Sequence, residues 1–161
     1  MDENADLPLR HPNHEEGSKI LMGSMMDAHQ NFAKDYNDYF GSLPRGHRHQ
    51  IVHSLYVKPY GEALIAHDEI SAISHRDRDY KSAANHFDTA NGSLEHMHQV
   101  LHYNLGGDHP VVQSAANYRS IREGAANRYR AAYGLNPHDT TNIFNQIVGN
   151  LGQQFKPKED E

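Results

Sequence analysis

Apolar residues recur along this chain at steps of three and four, the spacing that lines one face of a helix, and not at the alternation of a strand. From Ser18, the expected cap, to about Phe40, the stripe is Leu21, Met25, Phe32, Tyr36 and Tyr39. The stretch Gly41–Gly46 (GSLPRG) then opposes helix continuation through its proline and glycines. The longest pattern follows. Val52, Tyr56, Pro59, Ala63, Ala66, Ile70, Ile73, Asp77, Tyr80, Ala84 and Phe87 alternate steps of four and three without a slip, and only Asp77 is charged. Such a seam suits left-handed helix packing. Pro59, which lacks an N–H, and Gly61 predict a kink or a split into a short helix over 47–58 and a long one over 60–90. Asn91-Gly92 is the expected stop, since both residues tolerate left-handed backbone.

Ser93 then caps a short helix through Leu105, with Leu94, Met97, Leu101 and Leu105 facing inward and Gly106-Gly107 ending it. Asp108 with Pro110 just inside opens a helix to Tyr133, closed by Gly134. Asn136 and Pro137 repeat that start for a last helix striped by Phe144, Ile147, Val148 and Leu151. No strand emerges. The expected architecture is all-α, a bundle of five to six helices with one long, Pro-kinked central helix and extended polar termini. Its expected division is a flexible arm over 1–17, a single helical domain over 18–152 and a charged tail over 153–161.

Composition changes this picture in two ways. Leu, Ile, Val and Phe make up 30 of 161 residues, just under the roughly 20 % at which a highly charged chain stays disordered. The formal charge is only −6, so the chain folds, but around a thin core that calls for apolar surface buried against another chain. A protein partner or a homo-oligomer is therefore expected. The acidic balance argues against bulk-charge binding to nucleic acid or an anionic membrane. The start, MDENADLPLR, lacks the apolar core of a secretory signal, and no apolar run approaches the ~20 residues of a membrane helix. A soluble protein, cytoplasmic or in a particle assembled there, is the expectation. The absence of cysteine excludes disulfides and thiolate chemistry.

Candidate chemistry rests on histidine. HRHQIVHSL (His47–Leu55) and HMHQVLHYNL (His96–Leu105) share HxHQ, two aliphatics, then H. Histidines four apart lie on one helical face, so His49/His53 and His98/His102 form two pairs that could each grip one ion. Glu95 adds a carboxylate one turn before His98. A divalent transition metal is the candidate cofactor, with no cofactor as the default. The ExxH half also occurs in di-iron bundles, but those need a second such motif and two more glutamates, and neither Glu62 nor Glu69 has a histidine three residues on. With 14 histidines, HxxxH pairs arise from composition, and these can simply bond a tyrosine or a carbonyl at the core edge. If 47–90 is one long helix, His98 neighbours His86 and His49 lies tens of ångströms away at ~1.5 Å per residue.

Other patterns are weaker. His67-Asp68, with His53, Asp77 or Asp79, has the residues of an HD phosphohydrolase dyad, but the spacing is short. No phosphate loop or nucleophile motif is present. Arg119, Arg122 and Arg130 share a face near Tyr118, Tyr129 and Tyr133, which reads as a solvated face pairing with local carboxylates or as a phosphate contact. AANHF, AANYR and AANRY echo one another as alanine-rich helices do. The favoured expectation is a non-catalytic scaffold or adaptor subunit. The alternatives are a histidine-based metal-binding bundle, di-iron-like or zinc, and a pH-responsive histidine switch: 14 added protons would take the charge from −6 to +8.

Overall fold

The computed structural model describes residues 7–23 and 25–136, and every regular element within them is a helix. They are α1 (His14–Met22), α2 (Met26–Gly41), α3 (Arg48–Val52), a π segment (His53–Val57), α4 (Lys58–Arg76), α5 (Tyr80–Leu105) and α6 (Pro110–Ala132). α3, the π segment and α4 run on without a break, one rod of roughly 40 Å at 1.5 Å per residue. α5 folds back along this rod and α6 packs on α5. α2 lies against α6, and α1 touches both α6 and α4. No helix among the described residues is long and apolar enough to cross a membrane. The expected last helix, with Phe144, Ile147, Val148 and Leu151, lies outside the described residues.

Several expected boundaries move. α1 begins at His14, so Ser18 is inside a helix and caps nothing, and the single helix expected to reach Phe40 is interrupted at Gly23, the C-cap of α1. Pro59 splits nothing. Its missing N–H and its ring, set against the carbonyl four residues back, are accommodated by the wider π turn just before it, where Lys58 N–H donates to the His53 carbonyl five residues back. Ser93 lies within α5, and α6 is capped by His109 Nδ1, which accepts from Val111 N–H at 3.2 Å, rather than by Asp108.

The long helix does not run from 60 to 90. It stops at Arg76, where Asp77 closes it, Arg78 takes the left-handed conformation (φ 64°), and the Asp79 carboxylate caps α5 by accepting from Ser82 N–H at 3.2 Å. The turn falls at the one charged position of the seam. Asn91-Gly92 stops nothing. The Asn91 side chain is engaged by Arg122, and the buried stripe Ala83, Phe87, Ala90, Leu94, Met97, Leu101 crosses these residues in step. That burial outweighs the ~1 kcal/mol a mid-helix glycine costs.

The core is alanine-lined, as its composition implies. Ala83, Ala90, Ala115 and Ala125 have no exposure, and each AAN echo buries its first alanine at a helix contact. At Gly61 the backbone comes so close to Met97 that a Cβ would stand 3.2 Å from its methyl group. At the centre lies a charge. Arg122, 1 % exposed, grips both Asp68 oxygens (2.5 and 3.0 Å), donates to Asn91 Oδ1 at 2.6 Å and to the Tyr118 hydroxyl at 3.1 Å, and covers the Phe87 ring. The rod therefore turns inward the stripe Val57, Gly61, Leu64, Asp68, Ser71, His75, half of it polar, with Ser71 donating to the Ala83 carbonyl at 2.7 Å. Arg122→Met should lower unfolding free energy by about 1–3 kcal/mol, the cost of losing charged hydrogen bonds while Asp68, 35 % exposed, is left to water. Urea titration measures this, and an unchanged midpoint would show that the pair supports nothing.

Candidate functional site

The two histidine segments meet, though not as a long helix ending at Asn91-Gly92 would have it. Because the hairpin lies at Asp77–Asp79, α4 and α5 run antiparallel in a register marked by Tyr60 stacked on His96 and His67 stacked on His86. Extending that register brings His53 level with His102, and His49 sits beside the Asn104 backbone. His98 does not neighbour His86, which bonds His67 instead (Nδ1 to Nδ1, 3.2 Å).

The rings nevertheless engage different neighbours. His49 Nδ1 pairs with the Tyr39 hydroxyl at 2.5 Å, and His53 Nδ1 with the Tyr36 hydroxyl, both on α2. Arg119 on α6 donates to His98 Nδ1 at 3.1 Å and pairs with Glu95 at 3.2 Å. His102 is exposed, its ring 6.2 Å from that of His98. A guanidinium thus stands between the carboxylate and imidazole of the ExxH motif, and among the described residues no group of three or more histidines and carboxylates is disposed to hold a metal ion. Burial, first of all, pushes His49, His53 and His98 below the ordinary histidine pKa, helped by His47, Lys58 and Arg119 respectively.

The arginine face is occupied in the same way. Arg122 holds Asp68, which removes that carboxylate from an HD dyad, and Arg130 pairs with Asp88 and with Asn85 Oδ1. Tyr118 and Tyr129 are core residues. These groups fasten α6 to α4 and α5.

Two features remain that the residue patterns did not single out. The first is the outer face of the rod. Ile51, Leu55, Tyr56, Ile65, Ile70 and Ile73 are each at least 40 % exposed. Five apolar seam positions expected in a packing interface, Tyr56, Pro59, Ala66, Ile70 and Ile73, thus face outward, because Asp68, Ser71 and His75 hold the opposite face of the rod inward. Beside this ridge a groove of about 450 Å³ is lined by Arg45, Gln50, Ile51, Ser54 and Leu55.

The second is a histidine–tyrosine clasp that holds α1. His75, buried on α4, donates Nε2–H to the His14 carbonyl at 3.0 Å, so its neutral ring accepts at Nδ1 from the Tyr129 hydroxyl at 2.8 Å. The His14 ring stacks on His75 at 4.3 Å and bonds the Tyr80 hydroxyl at 2.8 Å. Tyr80 stacks on Tyr133 at 4.2 Å, and Tyr133 donates to the Asn13 carbonyl at 2.7 Å. Burial lowers the pKa of His75 with help from His14, and that of His14 with help from Arg10 and Arg78, while Tyr133 is pushed up to about 12 by burial and Tyr80. Gly17 permits the closure. A Cβ there would stand 2.0 Å from the Tyr133 hydroxyl oxygen and 2.7 Å from His75 Cε1. No spacing rule links His14 to His75 across 61 residues. Only a glycine inside the amphipathic HEEGSKILM hinted at a close approach.

Gly17→Ala separates two effects. The alanine gains up to about 1 kcal/mol of helix propensity, but its methyl group cannot fit beneath a tyrosine stacked on Tyr80. The expected result is release of α1 alone, with amide exchange over 14–22 at least about tenfold faster and the α5 and α6 amides unchanged. Unaltered exchange over 14–22 would mean that the clasp accommodates a side chain.

No protein-family model matches this chain, and no similar curated protein or solved structure was found.

Proposed function

We propose that this protein is a non-catalytic helical scaffold or adaptor subunit that works through protein–protein contacts on the outer face of the rod. The observation that supports the reading is the ridge from Ile51 to Ile73. An isolated exposed isoleucine needs no explanation, but six large apolar side chains exposed along the outer side of one rod mark an interaction surface. The alanine-lined core points the same way, since a chain with few large apolar residues has set several of them outside. A metal-binding role would need Arg119 to release Glu95 and His98.

Replacing Ile70 and Ile73 together by Glu should leave the helical circular dichroism of the full chain unchanged and, at dilutions where both proteins are monomeric, lower the melting temperature by no more than a few degrees, because both side chains are 40 % or more exposed. The same variant should weaken association about tenfold or more in sedimentation. Wild-type protein that stays monomeric at high concentration and is recovered from its source without a partner would end this reading.

A second reading, a histidine pH switch, is supported by the clasp. His75 on α4 is faced by His14 and Arg10, by Tyr80 at the start of α5, by Tyr129 on α6 and by Tyr133 just after it. Around these, Arg78 acts on His14, His11 packs on Tyr80 and Tyr133, and Asp79 lies near Tyr129. A proton on Nδ1 would displace the Tyr129 hydrogen from its acceptor and set a charge against His14 and Arg10. The sign follows from the direction of the shifts. His14, His49, His53, His75 and His98 all lie below the ordinary value, so the unfolded chain binds protons first. Stability is fully present above about pH 6.5 and is lost as pH falls below it. The melting temperature should therefore hold from pH 8 to about 6.5 and drop beneath. His75→Gln, whose amide can donate to the His14 carbonyl and accept from Tyr129, should shallow that drop. A melting temperature that is flat or rises on acidification would exclude the switch.

A further inference from the structure

The ridge carries a charge pattern that selects its occupant. Lys58 and Glu69 are both exposed on the outer face of α4, eleven residues or three turns apart, about 16 Å along the helix. Eleven residues return to nearly the same azimuth, so the two side chains stand on one edge of the ridge, with Ile65 between them. Pro59, Ala66, Ile70 and Ile73 form the other edge.

We propose that the partner on this ridge is a second copy of this chain, packed antiparallel about a two-fold axis that crosses the rod between Ala63 and Leu64. The inference rests on the ridge being a contact surface, and it names the partner. Rotation about that axis brings each Lys58 level with the partner's Glu69, so one exposed pair occurs twice, as an isologous interface requires. It keeps each edge facing its own kind and sets the two Ile65 side chains near each other at the axis. Ile73 falls level with Ser54, between Ile51 and Leu55, at the groove lined by Arg45, Gln50, Ile51, Ser54 and Leu55. Asp77, which closes α4, falls level with Gln50, which lines the groove together with Arg45.

Other arrangements match less well. A parallel pair, whose two-fold runs along the rods, turns the Lys58 and Glu69 edge of each copy onto the Pro59, Ala66, Ile70 and Ile73 edge of the other, so neither charge meets an opposite one. An antiparallel pair with its axis between Ile65 and Ala66 brings Glu62 level with Glu69, and one with its axis at His67 brings Lys58 level with Arg76. Moving the axis to Tyr60 pairs Lys58 with Glu62 but carries Ile73 past the start of α3 to His47, off the groove.

The test is a charge exchange on exposed positions that the fold does not use. Sedimentation equilibrium of the full chain at neutral pH and moderate salt should give a dimer. Lys58→Glu and Glu69→Lys should each raise the dissociation constant about tenfold, because each puts two like-charged pairs at the interface. The double variant should return it to near the wild-type value. Glu62→Lys should not rescue Lys58→Glu. Circular dichroism, and melting temperature taken at dilutions where every variant is monomeric, should be the same in all variants, so that folding is not what is read. Single variants without effect, a double variant without recovery, or rescue by Glu62→Lys would overturn this dimer. So would a chain monomeric throughout. If that monomer has instead co-purified with a different protein that the Ile70/Ile73 variant releases, the contact surface stands and only the identity of its partner falls.

Discussion

The fold turns on a guanidinium placed where there is almost no water. Arg122 on α6 is 1 % exposed, and a charge so buried is tolerated only when it is paired and its N–H groups find acceptors. Both Asp68 oxygens, the Asn91 amide oxygen and the Tyr118 hydroxyl meet that need, and the Phe87 ring covers the open face. The partners lie on α4, α5 and α6, so one side chain ties three helices together. A planar fork grips a carboxylate in a narrow range of orientations. It therefore fixes how far apart the helices stand and also how α4 is turned about its own axis.

That rotation accounts for features at some distance from Arg122. With Asp68 pointing inward, the residues one and two turns further along α4, Ser71 and His75, point inward as well. Ser71 caps the Ala83 carbonyl, and His75 reaches Tyr129 and the His14 backbone. The clasp on α1 is thus a consequence of the same stripe. The isoleucines on the opposite side of α4 are turned to the outside by the same rotation.

How far this was legible in the residues follows from where local preference and tertiary contact agree. They agree for α6, whose proline start and glycine end are local, for the break at GSLPRG, and for the inward face of Leu94, Met97 and Leu101. They disagree at Asn91-Gly92, where a stop signal is overridden because Asn91 is bound to Arg122. They disagree again at Asp77–Asp79, where apolar spacing continues through a turn by coincidence and the one charged position marks the break. Apolar spacing located the helix and misjudged its inner face, since no periodicity rule anticipates that an arginine 54 residues away will claim Asp68. The paired histidine segments were visible as a repeat. Their tyrosine and arginine partners come from α2 and α6, so what the rings do depended on the hairpin's position.

The outward isoleucines are a choice with a measurable alternative. Turning α4 by nearly half a turn would bury Ile70 and Ile73, which is worth roughly 1.5–3 kcal/mol for each fully buried side chain. The same turn would strand Arg122, at about 3–5 kcal/mol, and leave Ser71 and His75 without their acceptors. These terms are of similar size, so α4's rotation is decided by what it packs on. α5 offers it Ala83 and Ala90, a floor so shallow that the two helices touch through small and polar groups. Branched side chains forced into that space would separate α4 from α5 and pull Asp68 out of reach of Arg122. A second surface removes the conflict, because the polar face keeps its buried pair and the apolar face loses its water. In the dimer proposed above, a chain this poor in large apolar residues would gain core area from its neighbour without repacking its own.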